Sequence, residues 1–207
     1  MKKSLIVFGI VCLVLVLDQA LKIWVKTHFY YGEDRPLFGN ATWARLNFVE
    51  NSGMAFGWQF GGNYGKLALS LFRLVAIGFL IYYIPKFIRR GAGIGLLTGL
   101  ALILAGAIGN MLDSAFYGLI FSASDYTHFA PLATLFPAEG GYGTFLQGKV
   151  VDMLFFPMWK NANGEVVFSQ HVFNLADAAI TIGVITILAF QRQFAFASKK
   201  QIIAVNH

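Results

Sequence analysis

Charge is scarce in this chain of 207 residues: 13% of positions are Asp, Glu, Lys or Arg, against 57% that are apolar. So few solvating groups do not cover an ordinary soluble domain of this size, and a membrane protein is the reading that fits. Acid is the rarer sign, 10 residues against 16 basic ones, for a net charge of +6. That excess does not point to nucleic acid, because the Lys and Arg residues are scattered at the ends of apolar runs and form no basic face. Cysteine is limited to Cys12, inside the first apolar run, which excludes an intramolecular disulfide and a cysteine metal cluster. Proline is sparse as well. Pro36, Pro131 and Pro137 fall, with Gly32, Gly39, Gly61, Gly62, Gly140, Gly141 and Gly143, in two segments that read as turn-rich linkers. Internal repeats and low-complexity tracts are missing.

Long apolar runs are what the chain has in abundance. A hydrocarbon core of about 30 Å needs roughly 20 helical residues, and four segments qualify: 4–25, 65–84, 92–116 and 172–190. The expected fold is a membrane all-α bundle of four transmembrane helices in a single integral domain over 1–207, with loops 26–64 and 117–171. The first segment imitates a secretory signal, but its apolar core lacks a small-x-small exit and further spans follow it, so it is expected to remain as a helix. Lys2 and Lys3, then Lys86, Arg89 and Arg90, then Arg192, Lys199 and Lys200 flank the spans on one side, which predicts both termini in the cytoplasm and the two long loops outside. Lys26, Arg35 and Arg45 blur that asymmetry. Trp24 fits an interfacial anchor. The alternation of Ala44, Leu46 and Phe48 against Arg45, Asn47 and Val49, and the β-prone run from Val150 to Phe156, predict a small extracytoplasmic β element.

Acids inside spanning helices are costly and usually face a bundle interior or a water-filled cavity. Asp18, Asp113 and Asp177 sit near the ends of three different helices, and the predicted orientation places all three at the outer side. Asp18 and Lys22 are four apart and can pair along a helix. Asn110 and Asp113 are three apart, as are Asn174 and Asp177, a spacing that puts each amide on the helix face of its acid. Asp152 is embedded in Val150-Val151-Asp152-Met153-Leu154-Phe155-Phe156, where an isolated carboxylate would have a raised pKa, so a functional partner is expected. The four histidines, His28, His128, His171 and His207, show no metal-ligand spacing. Ser52 and Ser114 have no base nearby in sequence. Gly91, Gly93, Gly95, Gly99, Gly106 and Gly109 read as close helix packing.

Five segments in order, Asp18-Gln19-Ala20-Leu21-Lys22, Asn51-Ser52-Gly53-Met54-Ala55-Phe56-Gly57, Gly106 to Asp113, Gly148-Lys149-Val150-Val151-Asp152 and Phe173-Asn174-Leu175-Ala176-Asp177, make the chain resemble the bacterial lipoprotein signal peptidases, or signal peptidase II. The resemblance implies an aspartic endopeptidase of the inner membrane with its site facing the periplasmic or outer side. It implies Asp152 and Asp177 as the catalytic pair, and Asp18, Lys22, Asn51, Gly53, Asn110, Asp113 and Asn174 as substrate-binding or supporting residues. No metal and no cofactor are implied. The implied substrates are prolipoproteins whose cysteine carries a diacylglyceryl group, cut just before that cysteine, with membrane lipid as surroundings; a monomer is expected. Where the family continues its third-helix motif with Arg, this chain has Ser114, and Lys149 is the expected replacement. The distance from Asp113 to Asp152 implies an enlarged outer loop over 122–147.

Two adjacent carboxylates share a proton, so one can serve as base and the other as acid while water attacks the scissile carbonyl. Which of Asp152 and Asp177 starts protonated stays open at this point. Two other classes compete. A proton-coupled transporter would spread polar groups through the bilayer thickness, and a non-enzymatic scaffold would use the acids only to pair helices.

Overall fold

The computed structural model describes residues 2–52, 63–125, 131–160, 166–168 and 171–205. Helix α1 (Lys2–His28) is followed by strands β1 (Asp34–Pro36) and β2 (Arg45–Asn51), then by α2 (Asn63–Arg89) and α3 (Ile94–Leu112). Helix α3 runs on through a π-helical turn at Asp113–Tyr117 into the short α4 (Gly118–Ile120). Strands β3 (Val150–Phe155), β4 (Trp159–Lys160) and β5 (Val166–Phe168) precede α5 (Leu175–Val205).

Three helical stretches, Lys2–His28, Leu67–Arg89 and Ile94–Ile120, are long and apolar enough to cross a bilayer. The apolar part of α5, Leu175–Phe190, is shorter. The segment expected over 172–190 begins at Leu175 because Asn174 caps the helix, and the third runs past 116 because the π turn continues it.

Burial ranks the helices. Over half of the apolar window of α3 is buried, 56%, against 11% for α1 and 17% for α2, so α3 is the central post. Large apolar side chains such as Leu5, Phe8, Leu71, Phe72, Phe79 and Ile185 face outward. Such a surface suits lipid and would be unfavourable in water.

Helices α3 and α5 approach closely because glycines line their seam. A Cβ on Gly106 would stand 2.2 Å from the Ala176 carbonyl oxygen, and one on Gly99 would stand 2.8 Å from that of Gly183. Gly95 and Gly109 are similarly crowded, whereas Gly91 and Gly93 have nothing within 4 Å and take no part in packing. Small residues at such seams let backbones come together where lipid supplies no hydrophobic drive.

Strands β1, β2 and β3 form one antiparallel sheet in that order, with Val49 opposite Asp152 and Asn51 opposite Val150. The predicted alternation holds: Leu46 and Phe48 are buried while Arg45, Asn47 and Val49 are less so. Val151 and Met153 join Leu46, Phe48, Val25, Phe29, Tyr117 and Phe121 in a core that seats the sheet on the ends of α1 and α3. The period of two then turns Val150 and Asp152 to the opposite face. A second core, with Val7, Leu80, Ile84, Leu97, Ala101 and Leu104, ties α1, α2 and α3 at the other end.

The seam predicts opposite outcomes for two substitutions of one kind. Gly106→Ala should lower stability by about 1–3 kcal/mol through overpacking against backbone. Gly78→Ala, in the interior of α2 with nothing within 4 Å, should leave stability equal or raise it by up to about 1 kcal/mol. Thermal unfolding in detergent reads both.

Candidate active site

The i, i+4 spacing brings Asp18 and Lys22 together on α1, and a second acid, Asp113, joins them from the π turn. Lys22 Nζ lies 2.9 Å from Asp18 Oδ2 and 2.8 Å from Asp113 Oδ2, and it donates to Asn110 Oδ1 at 2.9 Å. An ammonium has three donors, and all three are used. The four side chains are fully or almost fully buried. Gln19 completes the cluster: its Nε2 donates to Asp113 Oδ1 at 2.9 Å, and Tyr117 Oη donates to its Oε1 at 3.1 Å. Among the described residues, no buried side-chain nitrogen or oxygen lacks a partner.

This cluster reaches the start of α5. Asp18 Oδ1 accepts the Ala176 N–H at 2.9 Å, satisfying one of the orphan donors of the first turn. Asn174 is the cap itself: its Oδ1 accepts the Asp177 N–H at 2.9 Å, and Asp177 Oδ2 accepts the Asn174 N–H at 3.4 Å. The spacing read as two residues on one helix face is therefore a reciprocal capping box, with Asn174 outside the helix.

Two amides connect the cluster to the remaining acids. Asn110 Nδ2 donates to Asp177 Oδ1 at 2.7 Å, and Asn174 Nδ2 donates to Asn110 Oδ1 at 3.0 Å and to Asp152 Oδ1 at 2.6 Å. Asp152 and Asp177 both face a cavity of about 710 Å³, which Asn51, Arg73, Asn110 and His171 also line. Asp18, Lys22, Asp113 and Asn174 stand behind its wall. Gly53 lies outside the described residues.

The Asp152 carboxyl is pushed up to about 8, first by burial and then by the charge of Asp177. It therefore holds a proton at neutral pH. Because Asn174 donates to Oδ1, that proton belongs on Oδ2. Asp177 accepts at both oxygens, an arrangement that suits a carboxylate. One protonated and one acceptor carboxyl facing this cavity can perform general acid–base chemistry on a bound carbonyl.

Lys149 does not enter this site. Its Nζ pairs with Glu50 Oε2 at 3.2 Å, in a second buried cluster where Lys26 bridges Glu50 and Ser124. The cation at the cavity is Arg73 of α2, whose Nη1 donates to Ser114 Oγ at 3.2 Å. Sequence reading missed Arg73, although a charge inside the apolar run 67–84 is the same signal that marked the acids. Gln19, Glu50 and Tyr117 carry no such mark.

The chain matches the family model described as signal peptidase (SPase) II over residues 10–192. The lipoprotein signal peptidase of Porphyromonas gingivalis is 46% identical over 193 residues, covering 88% of this chain and 81% of that protein. That of Amoebophilus asiaticus is 37% identical over 196 residues, covering 89% of this chain and 77% of the relative. In fold, the chain is similar to a solved bacterial membrane enzyme with a TM-score of 0.61 at 21% identity, covering 91% of this chain and 88% of that one.

Two outcomes are expected from this geometry. Lys22→Met leaves Asp18 and Asp113 buried without their shared cation and should cost about 3–5 kcal/mol in unfolding measurements. In infrared difference spectra assigned with Asp152→Asn, the protonated carboxyl band should persist at pH 7 and fade as pH rises through about 8. Asp177→Asn removes a negative neighbour, so the band should then fade at lower pH.

Proposed function

From the premise that the chain belongs to the signal peptidase II family, we propose that it is an aspartic endopeptidase that removes the signal peptide from diacylglyceryl-modified prolipoproteins, cutting just before the lipidated cysteine. The observation that carries this reading is the pair of carboxyls, Asp152 from a strand and Asp177 from a helix start, meeting at one cavity with Asp152 kept protonated.

Asp177 takes a proton from water as its oxygen attacks the scissile carbonyl carbon. Asp152 gives its Oδ2 proton to the carbonyl oxygen, which produces a neutral tetrahedral diol. As the C–N bond breaks, the proton on Asp177 passes to the leaving nitrogen, and one diol hydroxyl returns its proton to Asp152. Both carboxyls end as they began, with no covalent intermediate. Asn110 and Asn174 hold the two acids in their hydrogen-bonded orientations, and Asp18, Lys22 and Asp113 hold the asparagines and the start of α5. Asn51, at the end of β2, lines the cavity beside the two acids.

We read the apolar start of α5 as a fourth crossing; the Lys and Arg residues that flank the spans support both termini in the cytoplasm, with the sheet and the cavity at the outer face of the inner membrane. A substrate anchored by its signal helix and two acyl chains is confined to the bilayer, which raises its effective concentration and fixes the depth of the scissile bond.

Purified wild type, Asp152→Asn and Asp177→Asn, each with its thermal unfolding curve, test the reading on a lipidated prolipoprotein. Both variants should stay folded and lose about 10²–10⁴-fold in turnover. Near-normal turnover by a folded Asp152→Asn would sink the mechanism.

A further inference from the structure

We propose that Arg73 is a substrate-binding residue of this site, its guanidinium donating hydrogen bonds to a main-chain carbonyl of the peptide segment held in the cavity. The inference rests on the peptidase reading above.

Arg73 interrupts the apolar run of α2. Its neighbours Leu71, Phe72, Leu74 and Val75 are exposed on the lipid side, at 60%, 70%, 44% and 65%, while Arg73 itself is partly buried and lines the cavity. A charge in a spanning segment is strongly disfavoured unless it faces an interior or a water-filled space with work to do there. A structural ion pair would explain the residue without a substrate, but among the described residues Arg73 forms none: its hydrogen-bond partner is the neutral hydroxyl of Ser114. The carboxyls of Asp177, Asp113 and Asp152 act on it from farther away.

Among the described lining residues, Arg73 is the only lysine or arginine. A guanidinium carries five N–H donors in a planar fork, and the bond to Ser114 uses one, so the fork can keep that contact and meet an acceptor in the cavity at the same time. The acceptors of an extended peptide are its carbonyl oxygens. A donor fixed in the cavity wall holds such a carbonyl, and with it the peptide segment, in register with the two carboxyls. Asn110 accepts the Ser114 hydroxyl at its backbone oxygen, 3.0 Å away, and donates to Asp177 from its side chain. Arg73 is thus registered against the same residue that positions the acid.

The test measures kcat and KM on a lipidated prolipoprotein, with thermal unfolding of each variant. Arg73→Gln should lose about a hundredfold in kcat/KM, the scale of one such donor, with its unfolding temperature unchanged. Arg73→Lys, which keeps the charge without the fork, should recover part of that loss. Because the two side chains touch, Arg73→Ser combined with Ser114→Arg returns a guanidinium to the same space and should recover at least about tenfold over Arg73→Ser. If Arg73→Gln does not purify in folded form, the combined variant against Arg73→Lys decides. The proposal is overturned if kcat/KM stays within about threefold in folded Arg73→Gln, or if activity falls only in step with unfolding. Loss of turnover in Asp152→Asn alongside intact Arg73→Gln removes the Arg73 role alone. Turnover by folded Asp152→Asn removes the peptidase mechanism and this inference together.

Discussion

The buried ammonium of Lys22 is the interaction on which the rest of this structure depends. Two carboxylates, Asp18 and Asp113, are held away from water, and each would be strongly unfavourable there without a counter-charge and further donors. Lys22 supplies the charge, and Gln19 and the backbone N–H groups of Ala176 and Val151 supply donors. These partners come from three parts of the chain: Lys22 and Gln19 from α1, Val151 from β3 and Ala176 from α5. Satisfying the charges therefore fixes how α1, the end of α3, β3 and the start of α5 meet.

The network grades from structural to reactive as it approaches the cavity. Lys22 and the first two acids have no surface on it. Asn110 has one amide edge toward Lys22 and the other toward Asp177, and Asn174 links Asn110 to Asp152 while capping α5. The two outermost acids consequently differ in surroundings. Asp152 lies on a strand among apolar neighbours, where burial keeps it protonated, whereas both oxygens of Asp177 accept hydrogen bonds. That asymmetry is what the proposed division into acid and base uses.

The rest of the molecule serves this end of the bundle. The glycine seam of α3 and α5 brings Asn110 and Asp177 within one hydrogen bond, which bulkier residues would prevent. The sheet sets Asp152 by its pleat: Val151 and Met153 anchor the strand in the core, and the period of two delivers the acid to the opposite face. Lys26, Glu50 and Lys149 form a separate charged tie from α1 to β2 and to the segment before β3, which explains why Lys149 was a poor candidate for the site.

Periodicity, charge cost and motif order made much of this legible in sequence. Apolar length marks a helix whatever it packs against, alternation marks a strand with one buried face, and an acid in an apolar run marks a place that needs a partner. Family membership followed from the same residues, because five ordered motifs span the chain. Partner identity was the tertiary structure's to decide. Nothing in the spacing of Asn174 and Asp177 separates a shared helix face from a capping box, since both require three positions. Nothing local assigns the third ligand of Lys22 or the pairing of Lys149 with Glu50, which lie 88 and 99 positions apart in the chain. Arg73 could be flagged by its cost alone, but only the packing of α2 beside the π turn shows that it reaches Ser114, because side-chain contact across helices depends on rotation and depth that linear order leaves free.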